Sequence, residues 1–340
     1  MIHRSKAPLR IGLAGGGTDV SPYCDLYGGA ILNATISLYA YASIEPLPDR
    51  GIVLESIDRG IRQTFSLENK LAPDGNLDLA KGVYNRIVRE YGPVPSGFRL
   101  TTHVDAPAGS GLGTSSTLTV AILGAFAEWL RLPLGEYDMA HLSYEIERGE
   151  LKMAGGKQDQ YAATFGGVNF MEFYEDDRVI VNPLRIKPQY LYELEHNLLL
   201  FFTDTSRLSS AIIEVQSENV KKNNQESIAA MHRLKEQAHM MKEALLTGNI
   251  HDFGAILDYG FRYKKQMASS ISNERMDRIY AAALQAGATG GKITGAGGGG
   301  FMMFYCPGNS SHAVRQALQP FGGSFRPYQF VQNGLVTWSI

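Results

Sequence analysis

Cysteine is scarce in this chain: Cys24 and Cys306 are the only two among 340 residues. They are too few for a disulfide framework, and no C-x-x-C spacing offers a metal site, so a reducing, cytoplasmic setting is expected. An excess of one charge is also lacking. Lys and Arg number 32 against 34 Asp and Glu, a formal net charge of −2, which gives a sequence-independent grip on nucleic acid little electrostatic support. No apolar run approaches the ~20 residues that span a bilayer. The opening stretch MIHRSKAPLRIGLAGGG carries basic residues but no apolar segment long enough for a secretory leader. Neither nucleic acid nor a membrane is expected as a partner.

What is present is enough apolar material, 44% of residues against 19% Asp, Glu, Lys and Arg, to fill real cores. At roughly 150 residues per domain the length suggests two domains. Glycine is the compositional outlier, 37 residues gathered into three clusters: Gly15–Gly17, Gly109–Gly113 and Gly295–Gly300. Each follows an apolar, strand-like run, where backbone can approach a ligand closely. Around them the periodicity predicts strands over GGAILNATISLYAYASIE, GIVLESI and IRQTFSL, then a helix near 77–91, a strand at 97–105 and helices at 114–131 and 135–149. A short segment at 157–165, the strand GGVNFMEF and a further strand pair close the first half near Pro183 to Pro188. The second half is expected to hold long helices from about 207 to 286, a strand around KITGAGGGGFMMFY, a helix at 309–319 and terminal strands. The fold class is α+β.

A phosphate cradle uses glycine because backbone N–H groups converge on an anion only where no Cβ intervenes, and a following helix N-terminus adds favourable charge. Walker A fails, since Gly156-Lys157 runs into Gln158 and Gly291-Lys292 into Ile293. The formal GxGxxG at Gly295–Gly300 leads into FMMFY rather than a helix, which rejects dinucleotide binding. The cluster Pro107, Gly109, Ser110, Gly111, Leu112, Gly113, Thr114, Ser115 and Ser116 differs, because it follows a strand and enters the helical pattern STLTVAILGAFAEWL. Thr114, Ser115 and Ser116 are expected to cap that helix, leaving N–H groups for a polyphosphate and a hydroxyl for Mg²⁺. A glycine-rich turn with an ordinary cap is the plain alternative.

With APLRIGLAGGGTD at 7–19, PAGSGLGTSS at 107–116 and KITGAGGGGF at 292–301, the chain resembles the GHMP kinases, whose three motifs appear in order along its whole length. The resemblance implies a two-domain fold: a mixed-sheet N-terminal domain over 1–186 and a ferredoxin-like, helix-on-sheet C-terminal domain over 187–340. It also implies ATP as phosphoryl donor at 107–116, and Mg²⁺ on Ser115 and Glu147, with Glu145 as the competitor. Asp159, in GGKQDQYAATFGG, takes the place of the family's base, and its plain alternative is an acid at a helix N-terminus. Arg10 stands in an otherwise apolar strand, so its guanidinium wants an anion, either the transferred phosphoryl group or Asp159. Asp19 resembles a sugar-hydroxyl ligand, or is a turn residue.

The implied substrate is a small sugar phosphate held by Arg10, Gly16, Gly17, Thr18, Asp19, Lys157, Gly297 and Gly298. Galactokinases carry Glu and His where this chain has Gly16 and Gly17, which argues against galactose and leaves room for a longer or charged sugar. The first motif is most similar to members acting on D-glycero-D-manno-heptose 7-phosphate at the anomeric C1 hydroxyl, which implies a 1,7-bisphosphate product for nucleotide-activated heptose and surface glycans. L-Fucose kinases come next, and a sugar or ATP sensor without turnover is the reading from outside the enzymes. Lys157 is expected to touch the phosphate already on the substrate, unless it is a solvated lysine, with Lys6, Lys81 and Arg207 as further candidates.

Overall fold

The computed structural model describes residues 1–68, 70–205 and 209–340, so Arg207 lies outside the described residues. Strand β1 (His3–Ala14) opens the chain and is buried without a break from Ala7 to Ala14. Helix α1 (Tyr23–Tyr27) turns it into β2 (Gly29–Leu47), a 19-residue strand that pairs with β1 along one edge and with two strands along the other. The first half of β2 pairs with β6 (Val168–Phe173), which continues to β7 (Val179–Pro183), and the second half pairs with β5 (Gly97–Val104). Beyond β5 lie β3 (Gly51–Ser56) and β4 (Ile61–Ser66). Only β3 and β5 run parallel among these pairs, so the sheet is mixed, as expected.

Helices α2 (Asp78–Tyr91), α3 (Thr114–Leu130), α4 (Glu136–Tyr144) and α5 (Gln158–Phe165) complete this half. Helix α3 reads as almost continuously apolar because it packs on β1 and β2 and touches α2, α4 and α5. The expected helix at 135–149 loses its α geometry at Glu145, where Glu145–Glu150 winds as a wider π turn.

Helix α6 (Pro188–Asn197) begins the second half, ahead of any element the sequence pattern predicts there; Pro at its first position suits a helix start. Strand β8 (Leu198–Phe202) is followed by α7 (Ser209–Lys221), α8 (Gln225–Thr247), α9 (Phe253–Met267) and α10 (Glu274–Gln285). Then come β9 (Gly290–Ile293), β10 (Phe301–Tyr305), α11 (Ser310–Leu318) and β11 (Ser324–Phe325), giving an antiparallel sheet in the order β11-β8-β10-β9. The last strand, β12 (Val336–Ser339), leaves that sheet and pairs with the outer edge of β1, His3 opposite Ser339. A single boundary at 186/187 therefore does not separate the halves. The C-terminal segment returns to cover an edge that would otherwise expose unpaired backbone groups.

Candidate active site

Between the halves lies a cavity of about 580 Å³, within the ~300–1,000 Å³ range of small-molecule sites. Its roof is the glycine loop 108–113 and the start of α3. Gly113 holds the N-cap position in a left-handed conformation and no side chain caps the helix, so the expected Ser/Thr cap is absent. The hydroxyls turn elsewhere: Ser115 Oγ donates to Glu147 Oε1 at 3.1 Å, and Ser116 Oγ accepts from Gln160 at 3.1 Å. The first turn of α3 is left open to an anion. Gly109, Gly111, Gly113, Thr114, Ser115 and Ser116 line the cavity, whereas Pro107, Ser110 and Leu112 do not.

The π turn after α4 sends the two glutamates to opposite sides. Widening the helix there sends Glu147 inward, fully buried, to Ser115 and Gln160. Glu145 faces outward, where it meets Arg86 and His141. Among the described residues the nearest cation to the Glu147 carboxylate is Arg148, at 3.7 Å. A buried carboxylate beside a hydroxyl at a phosphate loop is the hard-oxygen donor set that Mg²⁺ takes together with nucleotide oxygens and water. Among the described residues no group of three or more His, Cys, Asp or Glu could hold a metal on its own.

Asp159 sits in the first turn of α5, beneath the loop. Its Oδ1 accepts from Arg10 Nε at 2.7 Å and lies 2.6 Å from the second guanidinium arm, while Arg10 Nη1 donates to the Gly111 carbonyl at 2.7 Å. Both of Arg10's expected anions were carboxylate or phosphate, and the structure supplies the carboxylate. Asp159 Oδ2 accepts no hydrogen bond among the described residues and faces the position a Cβ on Gly113 would occupy, 3.3 Å away. Asp19 is almost wholly buried; its Oδ2 accepts from the Gln158 amide at 3.1 Å, and burial pushes its carboxyl above the ordinary range. It lines the cavity together with Gly16 and Gly17. Thr18 does not, its hydroxyl being spent on the Gly15 and Ala30 carbonyls.

Three expectations are corrected by geometry. Lys157 is buried on the far side of α5, with Nζ 2.6 Å from Asp177 and 3.4 Å from Asp25. Burial lowers its pKa, but the bond to Asp177 together with the charges of Cys24, Tyr144 and Asp177 more than offsets this and holds it above the ordinary lysine value. Lys6 lies over the Tyr39 ring and Lys81 pairs with Asp74, both away from the cavity. Lys157→Ala is expected to leave the KM for a sugar phosphate unchanged. It should cost about 2 kcal/mol of stability in chemical denaturation, below the ~3–5 kcal/mol of a fully buried pair because its acids are part-exposed.

Gly297 and Gly298 also stand outside the cavity, against Ile271, whose carbonyl accepts from Gly298 N–H at 2.8 Å. The third cluster instead props the glycine loop 108–113: Phe301 N–H donates to the Ser110 carbonyl at 2.9 Å, and a Cβ on Gly300 would fall 2.3 Å from that same oxygen. Since Gly300 also has φ near +86°, Gly300→Ala should cost at least ~1 kcal/mol and raise the KM for ATP more than that for sugar. Thermal unfolding and steady-state kinetics check both effects.

Sequence reasoning missed Arg148, Lys152, Lys264 and Lys292, all in the cavity wall. Lys264 carried a signal, since it falls on the apolar face of α9 with Leu257, Phe261 and Met267. With Arg10 these make five cationic side chains among the described residues of the lining, against three carboxylates, Asp19, Asp159 and Glu214. In a chain of net charge −2, the described lining is thus locally positive.

Known proteins agree with this architecture. The family model described as GHMP kinases N terminal domain matches residues 78–167, and that described as GHMP kinases C terminal matches 241–322. The chain is 46% identical to the D-glycero-alpha-D-manno-heptose 7-phosphate kinase of Campylobacter jejuni over 99% of both proteins. It is 28% identical to the bifunctional fucokinase/GDP-fucose pyrophosphorylase of Arabidopsis thaliana, over 92% of this chain and 30% of that one. A crystal structure of a Bacteroides thetaiotaomicron D-glycero-D-manno-heptose 1-phosphate kinase superposes with a TM-score of 0.85 at 46% identity, covering 99% of each chain. The chain belongs to the GHMP kinase family. It is an ATP-dependent sugar kinase. The two relatives at 46% identity both have heptose phosphate in their names, and those names differ in which phosphate they print.

Proposed function

We propose that the enzyme transfers the γ-phosphoryl group of ATP to the anomeric C1 hydroxyl of D-glycero-D-manno-heptose 7-phosphate, yielding the 1,7-bisphosphate and ADP. The observation that carries the chemistry is the asymmetry of Asp159. Arg10 fixes Oδ1, while Oδ2 is left free in the cavity below the phosphate loop. In the transfer the sugar oxygen forms a bond to the γ-phosphorus, the bond from that phosphorus to the β–γ bridging oxygen breaks, and the hydroxyl proton moves to Asp159 Oδ2. Phosphoryl transfer depends mostly on in-line placement and neutralised charge, so Asp159 orients the hydroxyl as well as accepting its proton.

Ser115 and Glu147 would hold Mg²⁺, which when bound offsets charge on the nucleotide phosphates. The open first turn of α3 receives those phosphates through its N–H groups. Asp19, held by the Gln158 amide, presents a carboxylate to the sugar hydroxyls. The choice of a phosphorylated sugar is supported by the cationic surplus of the lining and by the Campylobacter relative's printed substrate. Such a product would feed nucleotide-activated heptose and surface glycan assembly, in the cytoplasm.

ADP release with Mg-ATP across heptose 7-phosphate, mannose, fucose, galactose and mevalonate tests the reading. It expects kcat/KM for heptose 7-phosphate to exceed the others by at least about 10²-fold. Preference for fucose would replace it with the fucose 1-kinase reading, and ATP binding without any turnover would restore the sensor.

A further inference from the structure

Two buried lysines in the cavity have no carboxylate partner among the described residues. Lys264, from α9, and Lys292, from β9, are each buried to 5% exposure or less, and among the described residues neither makes a salt bridge. Each ammonium spends one N–H on a carbonyl, Lys264 on Gly295 and Lys292 on Gly12 at 2.9 Å. Two N–H groups on each remain. Their tips converge: a Cβ on Gly16 would lie 3.5 Å from Lys264 Nζ and 3.9 Å from Lys292 Nζ. The surrounding charges do not neutralise them. Arg10 and each other are repulsive, and Asp19 acts only from a distance, so burial and these neighbours bring Lys264 down to about 8 and Lys292 well below the ordinary lysine value. Two unpaired, converging buried cations are costly unless an anion completes them.

We propose that Lys264 and Lys292 are the clamp for the phosphate monoester that the sugar substrate already carries, a proposal that rests on the sugar-phosphate reading above. The position of the pair favours this phosphate over the γ-phosphate of ATP. Along β1, Arg10 bonds Gly111 and Asp159 at the nucleotide loop, whereas Lys292 bonds Gly12, two residues or roughly 6.6 Å further on. Gly16, beside both ammonium groups, lies beyond that and next to the Asp19 wall. A sugar whose reacting hydroxyl meets Asp159 and whose ring meets Asp19 thus points its far end at the lysines. The same geometry explains why glycine suits position 16: a carboxylate side chain there would occupy the phosphate's place.

The test is equilibrium binding, without turnover, of paired sugars with and without phosphate: heptose 7-phosphate and heptose, and mannose 6-phosphate and mannose. AMP-PNP is titrated separately. In the wild type a phosphorylated member should bind at least tenfold tighter than its partner. Lys264→Gln and Lys292→Gln should each cut that preference about tenfold while leaving the Kd for AMP-PNP within about twofold. Gly16→Asp keeps both lysines and places a carboxylate between them, so it should abolish the preference with the fold intact, as judged by thermal unfolding. The clamp is overturned if the wild type shows no preference for phosphorylated sugars, if the preference survives all three substitutions, or if they weaken AMP-PNP instead, which would make the γ-phosphate the anion. Failure of heptose 7-phosphate to turn over, with a phosphate preference retained among the sugars bound, would overturn the substrate reading and leave the clamp standing.

Discussion

Asp159→Asn lowers kcat by about 10³-fold, the middle of the range for a positioned general base, while KM for ATP changes little. The amide is nearly the same size and still accepts from Arg10 at its oxygen, so the substitution removes the proton acceptor and keeps the geometry. It also removes the charge opposite a guanidinium that is 4% exposed. Some stability is lost with it, by less than the ~3–5 kcal/mol of truncating a fully buried pair, because Asp159 itself is 19% exposed. Arg10→Lys separates the two roles of the arginine. It keeps one charge but cannot hold Asp159 and the Gly111 carbonyl at once, so kcat should fall with a rise in the KM for ATP that Asp159→Asn does not show. Steady-state kinetics on both variants, with unfolding curves, checks this. A kcat within tenfold of wild type for a folded Asp159→Asn protein would remove Asp159 as the base.

Glu147→Gln gives the second large effect: a rise of at least about tenfold in the Mg²⁺ concentration at half-maximal rate, with kcat at limiting Mg²⁺ falling about 10²-fold. The fully buried carboxylate touches Ser115 and Gln160, and the neutral amide would offer a single weak oxygen in its place. Glu145→Gln is the control. Its carboxylate bonds Arg86 on the outside of the helix, so that variant should lose a little stability and keep the wild-type Mg²⁺ dependence. Rate against Mg²⁺ for both variants decides the assignment, and an unchanged midpoint for Glu147→Gln would sink it.

Much of this site was legible because its parts are local. A strand running into glycines and then into a helical repeat places the glycine loop between β5 and α3, and an arginine inside the apolar run LRIGLA announces a buried partner. The glutamate choice was not legible, since two residues of one helix differ in face only by the helix geometry, and the π turn that sends Glu147 inward follows from packing. Lys157 was misplaced for a similar reason: proximity to Asp159 along α5 says nothing of direction, and the lysine leaves the opposite face toward Asp177. Lys264 and Lys292 are separated from the loop by more than 140 residues of sequence, and only the packing of α9 and β9 against the end of β1 unites them. The return of β12 to β1 was hidden because edge pairing between chain ends has no local signature. Gly297 and Gly298 lie in the third glycine cluster, which reads as a ligand loop but serves to brace the loop at Ser110.

The most direct test of the central claim is phosphorus NMR of the product formed by the wild-type enzyme from heptose 7-phosphate and Mg-ATP. The account predicts one new monoester signal coupled to the anomeric proton, with the 7-phosphate signal retained. A new signal coupled to any other carbon, or loss of the 7-phosphate, would contradict it.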